Sequence, residues 1–433
     1  MMYGADPSGV GDSSGAIMSA INDAFGVESR SELLPGVRDL GGVVIDLQGG
    51  NYSISQPLRL PAGVGNVVIQ KGTLRAWPTF PEDRHLIELW SPNSQKTQAT
   101  EAIHQNASAD MKASFQNNVG IYYEDIIIQD ILFDSSYRGG GIFVIDSARI
   151  RVDNCFFIHF TTQGIKVMKG HETFISNSFL GQHLTVGGDQ GEKYFSGTGI
   201  DLASNDNAIT DVAIFSGAIG VVLSGQANIL TGVHCYNKAT YWGGIGIYVK
   251  LAGNSVTRID NCYMDYTAIV MEDPVQVHVS NGFFLGDANI VLKSINGEIS
   301  GLNIVDNMFT GDPNNNVPIV KLDGEFTNID QVVVDHNNVR GMSLRSTVAK
   351  LAIAGNGTKW VANFSNVLLF PNKINHIQDS FYTRGGSGAE FPFHFVTSVK
   401  DNVVVVESNK AVDAVVSVVV DQYNMAGETN SYL

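Results

Sequence analysis

The sequence predicts an all-β protein built as a parallel β-helix, with one helix at its N-terminal end and a small β cap at its C-terminal end. Three observations support this prediction: short β-branched runs recur, a turn motif returns every 20 to 34 residues, and one amphipathic segment precedes them. The composition agrees, because 46 glycines, 12 prolines and 16% charged residues exclude a disordered chain or a coiled coil.

One helix is expected near the start of the chain. Asp12 or Ser13 has the side chain of an N-cap residue, and Ile17 and Ile21 then share one face of a helix that extends to Phe25. Nearly everything afterwards consists of β-branched runs punctuated by Gly, Asn and Asp, which predicts strands. These runs include residues 43–45, 67–69, 126–128 and 332–334.

The turn motif is an apolar residue, any residue, Asn or Asp, any residue, and then an aromatic or aliphatic residue. Clear copies are centred on Asn154, Asn177, Asn261, Asn281 and Asn307, and weaker ones on Asp211, Gly232 and Asn337. Their spacing is too long for a hairpin and too short for a strand–helix repeat with its own loops. We therefore assign one coil of a parallel β-helix to each repeat.

Asparagine suits the turns of such a coil for two reasons. It tolerates the left-handed backbone of a tight turn, and stacked Asn side chains can hydrogen-bond to one another along a solenoid. The alternative is that these residues occupy scattered antiparallel hairpins.

The repeat also predicts a domain organisation. Residues 1–365 form the β-helix with its N-terminal helix, and residues 366–433, where the motif disappears, form the C-terminal β cap. The polar segment 91–118 interrupts the pattern and is expected to be an insertion, as is the stretch 181–199.

Composition excludes several classes of protein. The net charge of −16 repels phosphate backbones, so nucleic acid is not an expected partner. The densest apolar run, Val415–Val420, is far shorter than the roughly 18 residues of a membrane span.

Three cysteines are too few for a disulfide scaffold and are expected to be buried, inert thiols. The chain begins without a secretory signal, which leaves a cytosolic protein or one whose signal has been removed.

Several segments resemble one family. The opening 3–17 is similar to the entry of pectin-lyase-like β-helix proteins, in which an amphipathic helix caps the first coil. More specific matches are His171–Ile175, Ser224–Lys238, Glu272–Gln276, Phe283–Asp287 and Ile304–Phe309. They resemble the quartet-type plant polygalacturonases, and the resemblance extends from Tyr3 to about residue 375. It implies a right-handed β-helix and a secreted, cell-wall glycoside hydrolase that cleaves pectic polygalacturonate.

One departure limits what the resemblance implies. Familiar polygalacturonases carry Asn-Thr-Asp, Asp-Asp, Gly-His-Gly and Arg-Ile-Lys motifs, and this chain has none of them. The nearest approaches are Gly170–Glu172 and Arg149–Arg151. No catalytic residue therefore transfers from the family, and the site has to be argued from the residues themselves.

Polar residues follow the turn motif by four to six positions in successive coils. They are His159, His183, Asn237 with Lys238, Asp265 with Tyr266, Asp287 and Asp312. Because coils stack about 4.8 Å apart, these residues form either a functional stripe or simply a row of solvated turn exits.

Asp265 and Asp287 are the candidate catalytic pair of this stripe. If both face the same side, one coil of rise and two residues of stagger place them roughly 8 Å apart. Inverting glycosidases separate their acid and base by about 6.5 to 9.5 Å. Glu272 and Asp273 form a second acidic cluster, which is catalytic, binds a cation or caps a turn.

Substrate-binding candidates surround the stripe. Lys238 is predicted to pair with a uronate carboxylate, or it is an ordinary loop lysine. His183 and His159 are predicted to contact sugar, or they are structural hydrogen-bond partners. Tyr241 and Trp242 are predicted to stack on sugar rings, or to pack their own loop.

Three functions of different classes remain open on the residues alone. The first is a two-carboxylate hydrolase of polygalacturonate, the second is a β-helix enzyme of another specificity, such as a fructan-processing transferase or a small-molecule enzyme, and the third is a carbohydrate-binding β-helix without catalysis. No His/Cys spacing, phosphate loop or nucleophile elbow is present, so neither a metal nor a cofactor is expected. The expected partner is a polysaccharide, and the oligomeric state is not predicted.

Overall fold

The computed structural model describes residues 3–26, 28, 31–90, 120–182, 197–236, 244–385 and 391–424. These residues belong to two compact units. Unit 1 comprises Met1–Leu251 and Ser255–Val270, and unit 2 comprises Ala252–Asn254 and Met271–Leu433. The predicted insertion 91–118 and most of the stretch 181–199 lie outside the described residues.

Unit 1 begins with the expected helix, α1 (Ser14–Phe25). Ile17, Ile21 and Phe25 are buried on one face, as the apolar spacing predicts. Ser13 is the N-cap residue, but the Asp12 carboxylate accepts the hydrogen bond from the Ser14 N–H at 3.0 Å. Both candidate cap residues therefore take part in starting the helix.

The strands that follow α1 are short and numerous. They are β1 (Glu32–Leu34), β2 (Val37–Asp46), β3 (Asn51–Ile54), β4 (Leu58–Leu60), β5 (Val64–Ala76), β6 (His85–Leu89), β7 (Tyr123–Asp134), β8 (Gly140–Ile145), β9 (Ser147–Asp153), β10 (Phe156–Ile158), β11 (Gln163–Ser176), β12 (Phe179–Gly181), β13 (Thr198–Asn205), β14 (Ala208–Thr210), β15 (Ala213–Phe215), β16 (Ile219–Leu223), β17 (Asn228–Thr231), β18 (His234–Tyr236), β19 (Ile245–Val249), β20 (Thr257–Asp260), β21 (Tyr263–Asp265) and β22 (Ala268–Glu272).

Each coil of unit 1 contributes one strand to each of three parallel sheets. The first sheet contains β4, β6, β8, the start of β11, β13, β16 and β19; the second includes β9, the end of β11, β14, β17 and β20; the third includes β10, β12, β15, β18 and β21. This is the predicted right-handed parallel β-helix. Inward residues stack in columns, as Ile142, Ile165, Ile200, Val221 and Ile247 do.

The turn motif lies between the second and third sheets, and its asparagines adopt the predicted left-handed backbone. Asn154, Asn177, Asn261 and Asn281 have φ values between 48° and 55°. The Asn177 amide also donates to the Asp153 carboxylate of the coil below it, at 2.8 Å. Hydrogen bonds between stacked turns therefore join successive coils.

The turn motif is shifted by one residue in its last two copies. Asp306 and His336 take the left-handed backbone there, whereas Asn307 is fully buried. The Asn307 amide donates to the Asn337 side chain at 3.1 Å. A stacked asparagine pair is present as predicted, but it lies inside the coil and not at its left-handed corner.

Unit 2 combines further parallel coils with an antiparallel sheet. Its strands are β23 (Val275–Ser280), β24 (Phe283–Leu285), β25 (Asn289–Lys293), β26 (Glu298–Val305), β27 (Met308–Thr310), β28 (Val320–Asp323), β29 (Asn328–Asp330), β30 (Val333–Asp335), β31 (Asn338–Arg340), β32 (Val348–Asn363), β33 (His376–Thr383), β34 (His394–Lys400) and β35 (Val403–Asp421).

The C-terminal β cap is an antiparallel sheet in which β35 pairs with β32, β33 and β34. Its own core contains Trp360, Phe364, Val404 and Val416. The sheet already includes Val348–Asn363, which the repeat pattern assigns to the β-helix. The predicted domain boundary between residues 365 and 366 stays a prediction.

A column of glycines marks where the chain enters the first sheet. Gly141, Gly164, Gly199, Gly220 and Gly246 occupy equivalent positions. A Cβ on Gly199 would lie 2.6 Å from the Gly220 carbonyl oxygen and 2.8 Å from Ile214 Cγ2. Only glycine lets the backbone of one coil approach the next so closely at this point.

We expect Gly199→Ala to lower the free energy of unfolding by about 1–3 kcal/mol, because a rigid neighbouring backbone cannot move away from the new methyl group. The matched control is Gly15→Ala in α1, where a Cβ meets nothing within 4 Å and alanine favours the helix. Urea denaturation of both variants measures the difference. Equal midpoints for the two variants would contradict the close-approach explanation.

Candidate functional site

The outward face of the first sheet in unit 1 carries a column of charged and aromatic side chains. Along each strand, the outward residue lies between two residues that face the core. The column consists of Arg59, Glu88, Phe143, Lys166, Asp201, Val222 and Tyr248. Four of these seven residues are charged, in a chain in which only 16% of residues are. We call this column the charged face.

Two long connections adjoin strands of this sheet in the sequence. Residues 90–122 follow β6 and residues 182–197 precede β13, and both are longer than the connections between β13 and β18.

Glu88 lies near one end of the charged face, and its carboxylate is paired with two arginines. It forms ion pairs with Arg59, at 3.0 Å, and with Arg84. Burial disfavours its ionised form, but the hydrogen bonds and charges of Arg84 and Arg59 outweigh burial and lower the Glu88 pKa. Both arginines also lie over the Trp90 ring. This cluster is a rigid, ionised support.

Asp201 has the opposite character. Burial raises its pKa, and the nearby cations Lys166 and Lys250 only partly oppose that effect. Within the described part of the chain, its carboxylate accepts no hydrogen bond. Lys250 extends beside Tyr248, with its ammonium 6.0 Å from the ring centroid. A carboxyl group with a raised pKa can donate a proton to a ligand, and the two nearby lysines can bind a negative group on that ligand.

A repeated tetrapeptide identifies the charged face in the sequence, although the turn motif does not. Gly164-Ile165-Lys166-Val167 and Gly199-Ile200-Asp201-Leu202 share the order glycine, aliphatic, variable, aliphatic, and the variable residue faces outward. Residues 141–144, 220–223 and 246–249 follow the same order. Reading this second repeat would have found Asp201 and Lys166.

Asp265, a predicted catalytic residue, is the last residue of β21 in the third sheet. It lies in register with Tyr236, and Tyr263 precedes it on the same face. The Tyr263 ring contacts the His234 ring edge-on, with centroids 4.3 Å apart. Burial raises the Asp265 pKa. The residue therefore combines a protonatable carboxyl with an aromatic surface, on a different sheet from Asp201.

Asp287 in unit 2 is placed differently from the prediction. Strand alternation ends at Leu285, and both Gly286 and Asp287 have left-handed backbones, with φ of 62° and 64°. The Asp287 carboxylate accepts hydrogen bonds from the Asp312 N–H at 2.8 Å and from the Asn315 amide at 2.5 Å. The parity argument for a pair with Asp265 therefore does not apply, because Asp287 is a turn residue. A catalytic role for the pair stays a prediction.

The acidic cluster of Glu272 and Asp273 matches the turn-capping alternative. Asp273 is fully buried, and its carboxylate accepts the N–H groups of Ile295 at 2.9 Å and Asn296 at 2.6 Å. Glu272 pairs with Lys293 at 3.0 Å. Both carboxylates hold neighbouring chain segments in place.

His159 belongs to a hydrogen-bonded corner of unit 1. Its Nδ1 lies 2.8 Å from the Asp134 carboxylate, which Arg75 also contacts at 2.9 Å. Its ring packs against Tyr137. This network matches the structural alternative for His159. His183, Lys238, Tyr241 and Trp242 lie outside the described residues, so their predicted binding roles stay predictions.

The two segments nearest to the absent family motifs lie in the second-sheet region of unit 1. Arg149 forms an ion pair with the buried Glu124 and another with Glu172 at 3.6 Å. His171 also contacts Glu172, at 3.4 Å. These segments share one surface ion network, separate from the charged face.

The cysteines are buried free thiols, as predicted. Burial raises the pKa of both Cys155 and Cys262 to about 12, so neither is a nucleophile near neutral pH.

Among the described residues, no three His, Cys, Asp or Glu side chains are grouped as metal ligands would be. Of the helical segments described, none is long and apolar enough to cross a membrane.

Comparison with known proteins finds a relative in sequence and similar folds among solved structures. No protein-family model matches the chain. The chain is 52% identical over 426 residues to polygalacturonase QRT3 of Arabidopsis thaliana, an alignment that covers 97% of this chain and 83% of that protein. Among solved structures, ORF18 of Geobacillus virus E2 aligns with a TM-score of 0.55 at 11% identity, over 95% of this chain and 76% of that one. The second similarity concerns the fold alone.

The raised pKa of Asp201 predicts a pH-dependent effect of Asp201→Asn on stability. A raised folded-state pKa means that proton binding stabilises the folded chain below the unfolded pKa of about 3.9, and that this contribution is lost as pH rises through the folded pKa. The stability of the variant relative to wild type should therefore increase with pH across that range. Denaturant midpoints from pH 4 to 7 measure it, with the exposed Asp83→Asn as control. A relative stability that falls with pH would contradict the assignment.

Proposed function

Because the chain belongs to the quartet-type polygalacturonase family of plants, we propose that it is a polysaccharide-acting glycoside hydrolase that cleaves pectic polygalacturonate. The support is the 52% identity to a protein named as a polygalacturonase, together with a charged face that suits an anionic sugar chain. The same relationship supports secretion to the cell wall. The enzyme acts on the glycosidic bond between two uronate residues.

Asp201 supports this proposal most directly. Hydrolysis needs one carboxylic acid that protonates the leaving oxygen and one carboxylate that assists the attack of water on the anomeric carbon. Burial raises the pKa of Asp201, which favours the protonated form that a general acid needs. Proton transfer from Asp201 to the glycosidic oxygen then lets the carbon–oxygen bond break without releasing a free alkoxide.

Lys166 and Lys250 supply the positive charge that this substrate requires. A chain of net charge −16 attracts a polyanion only where local cations outweigh the general repulsion. Both lysines act on the Asp201 carboxyl electrostatically, which supports a role for them beside the proposed acid. We propose that they pair with the carboxylates of the uronate residues on either side.

We propose Asp265 as a second catalytic candidate, to be tested separately from Asp201, because it lies on the third sheet and two coils further along the chain. Among the predicted acids, Asp273 is occupied by two backbone N–H groups, Glu272 by Lys293, and Asp287 by Asp312 and Asn315. Asp265 accepts no such hydrogen bond among the described residues. Burial raises its pKa, which makes its ionised form a stronger base.

We expect Asp201→Asn and Asp265→Asn each to reduce the kcat for polygalacturonate at least about a hundredfold, because each removes one proton-transferring group. Reducing-end release measures the rates, and circular dichroism verifies the fold. Asp83→Asn, an exposed neutralisation, is the matched control and should retain full activity. An active Asp201→Asn protein would refute the assignment of the acid, and a wild type that hydrolyses fructan but no uronate would refute the substrate.

Lys166→Ala and Lys250→Ala should raise KM for polygalacturonate with a smaller change in kcat, because they remove ground-state binding. Added salt should affect wild type more than either variant. Lys71→Ala, an exposed lysine on another strand, is the control. For Lys238→Ala, the sequence analysis predicts the same increase in KM. Unchanged KM values in both Lys166→Ala and Lys250→Ala, or equal turnover of fully methyl-esterified pectin, would contradict a uronate-binding role.

A further inference from the structure

Unit 2 contains a pocket of about 410 Å³ between its last coil and the C-terminal antiparallel sheet. This volume lies within the range of about 300–1,000 Å³ typical of small-ligand sites. The coil contributes Lys321 and Leu322 from β28, and the connections around the sheet contribute Arg345, Leu368 and Asn372. None of these residues belongs to the charged face of unit 1.

Two cations line this pocket. Lys321 is exposed and follows the buried Val320, so β28 fixes where its side chain begins. Arg345 donates one hydrogen bond, from Nη1 to the Ser365 carbonyl at 3.2 Å. Within the described part of the chain, neither cation forms an ion pair, whereas Asp401, the one acidic residue lining the pocket, contacts Lys400 at 3.9 Å.

The rest of the lining is apolar or amide-bearing. Leu322 is half-buried and Pro371 is exposed, so both present apolar surface to the pocket, whereas Val320 and Leu368 are buried. The Asn372 side chain accepts the Asp401 N–H at 2.9 Å, which fixes its amide. Apolar surface packs against the C–H face of a sugar ring, amides hydrogen-bond its hydroxyls, and a lysine and an arginine pair with a carboxylate. A simple inorganic anion would use only the cations.

We propose that this pocket binds a carboxylated saccharide, with Lys321 and Arg345 pairing with the carboxylate and with Leu322 and Pro371 accepting the ring. This binding site is additional to the charged face, and no reaction is proposed in the pocket. A uronate at the end of a polysaccharide and a free uronate share the chemistry that this pocket recognises.

Ligand-observed NMR and calorimetry on the full chain test the proposal, with galacturonate, trigalacturonate, galactose and inorganic phosphate as probes. Both uronates should bind, and galactose and phosphate should bind at least about tenfold more weakly. Lys321→Ala or Arg345→Ala, each made in the Lys166→Ala, Lys250→Ala background, should weaken uronate binding at least about tenfold. A preference for trigalacturonate identifies a chain end as the ligand, and equal affinity identifies the free sugar. Lys359→Ala, on the antiparallel sheet, is the control variant.

The Lys166→Ala, Lys250→Ala double variant distinguishes uronate binding in this pocket from uronate binding at the charged face. Its uronate binding should persist, even if the proposed hydrolase activity proves absent. Loss of all binding in that variant would assign the ligand to the charged face and overturn the pocket. Unchanged binding in both Lys321→Ala and Arg345→Ala would overturn it as well, and equal affinity for phosphate would reduce it to an anion site.

Discussion

The parallel stacking of successive coils is the constraint on which the described features of unit 1 depend. Each residue lies directly above its equivalent in the coil below, so a side-chain type repeated at one position becomes a column. Inward columns of isoleucine and valine form the core. An outward column becomes a continuous surface, which is how Lys166 and Asp201 meet although 34 residues separate them.

The turns between the second and third sheets were predictable because their physics is local. A left-handed corner needs only Asn, Asp or Gly at one position, and Asn154 and Asn177 provide it in the expected place. The later turns show the limit of this inference. Asp306 and Asn307 stand side by side as Asp153 and Asn154 do, yet here Asn307 is buried and Asp306 takes the left-handed corner, so the sequence motif alone does not specify the corner residue.

The charged face was not predictable from those turns, because the connection between the third and first sheets varies in length. Four residues separate Ile158 from Gln163, whereas sixteen separate Gly181 from Thr198. Counting forward from an asparagine therefore reaches a different sheet position in each coil. The predicted placement of Asp287 failed for a related reason. It assumed that strand alternation continues to residue 287, whereas the strand ends at Leu285 and Gly286 turns the chain.

Burial and local charge give the carboxylates of this chain distinct roles. Glu88 stays ionised because two arginines outweigh its burial, and Asp273 is satisfied by two backbone N–H groups. Asp201 accepts no such hydrogen bond from the described residues, and burial raises its pKa despite two nearby lysines. A fold can in this way hold one carboxyl ready for acid catalysis while its other acids stabilise the scaffold.

The pH dependence of kcat/KM on polygalacturonate, compared between wild type and Lys166→Ala, tests the role of Asp201 most directly. If Asp201 is the acid, activity falls as pH rises through its raised pKa. Removing the neighbouring cation raises that pKa further, so the falling limb should move to higher pH in the variant. A limb that stays in place or moves to lower pH would contradict the assignment.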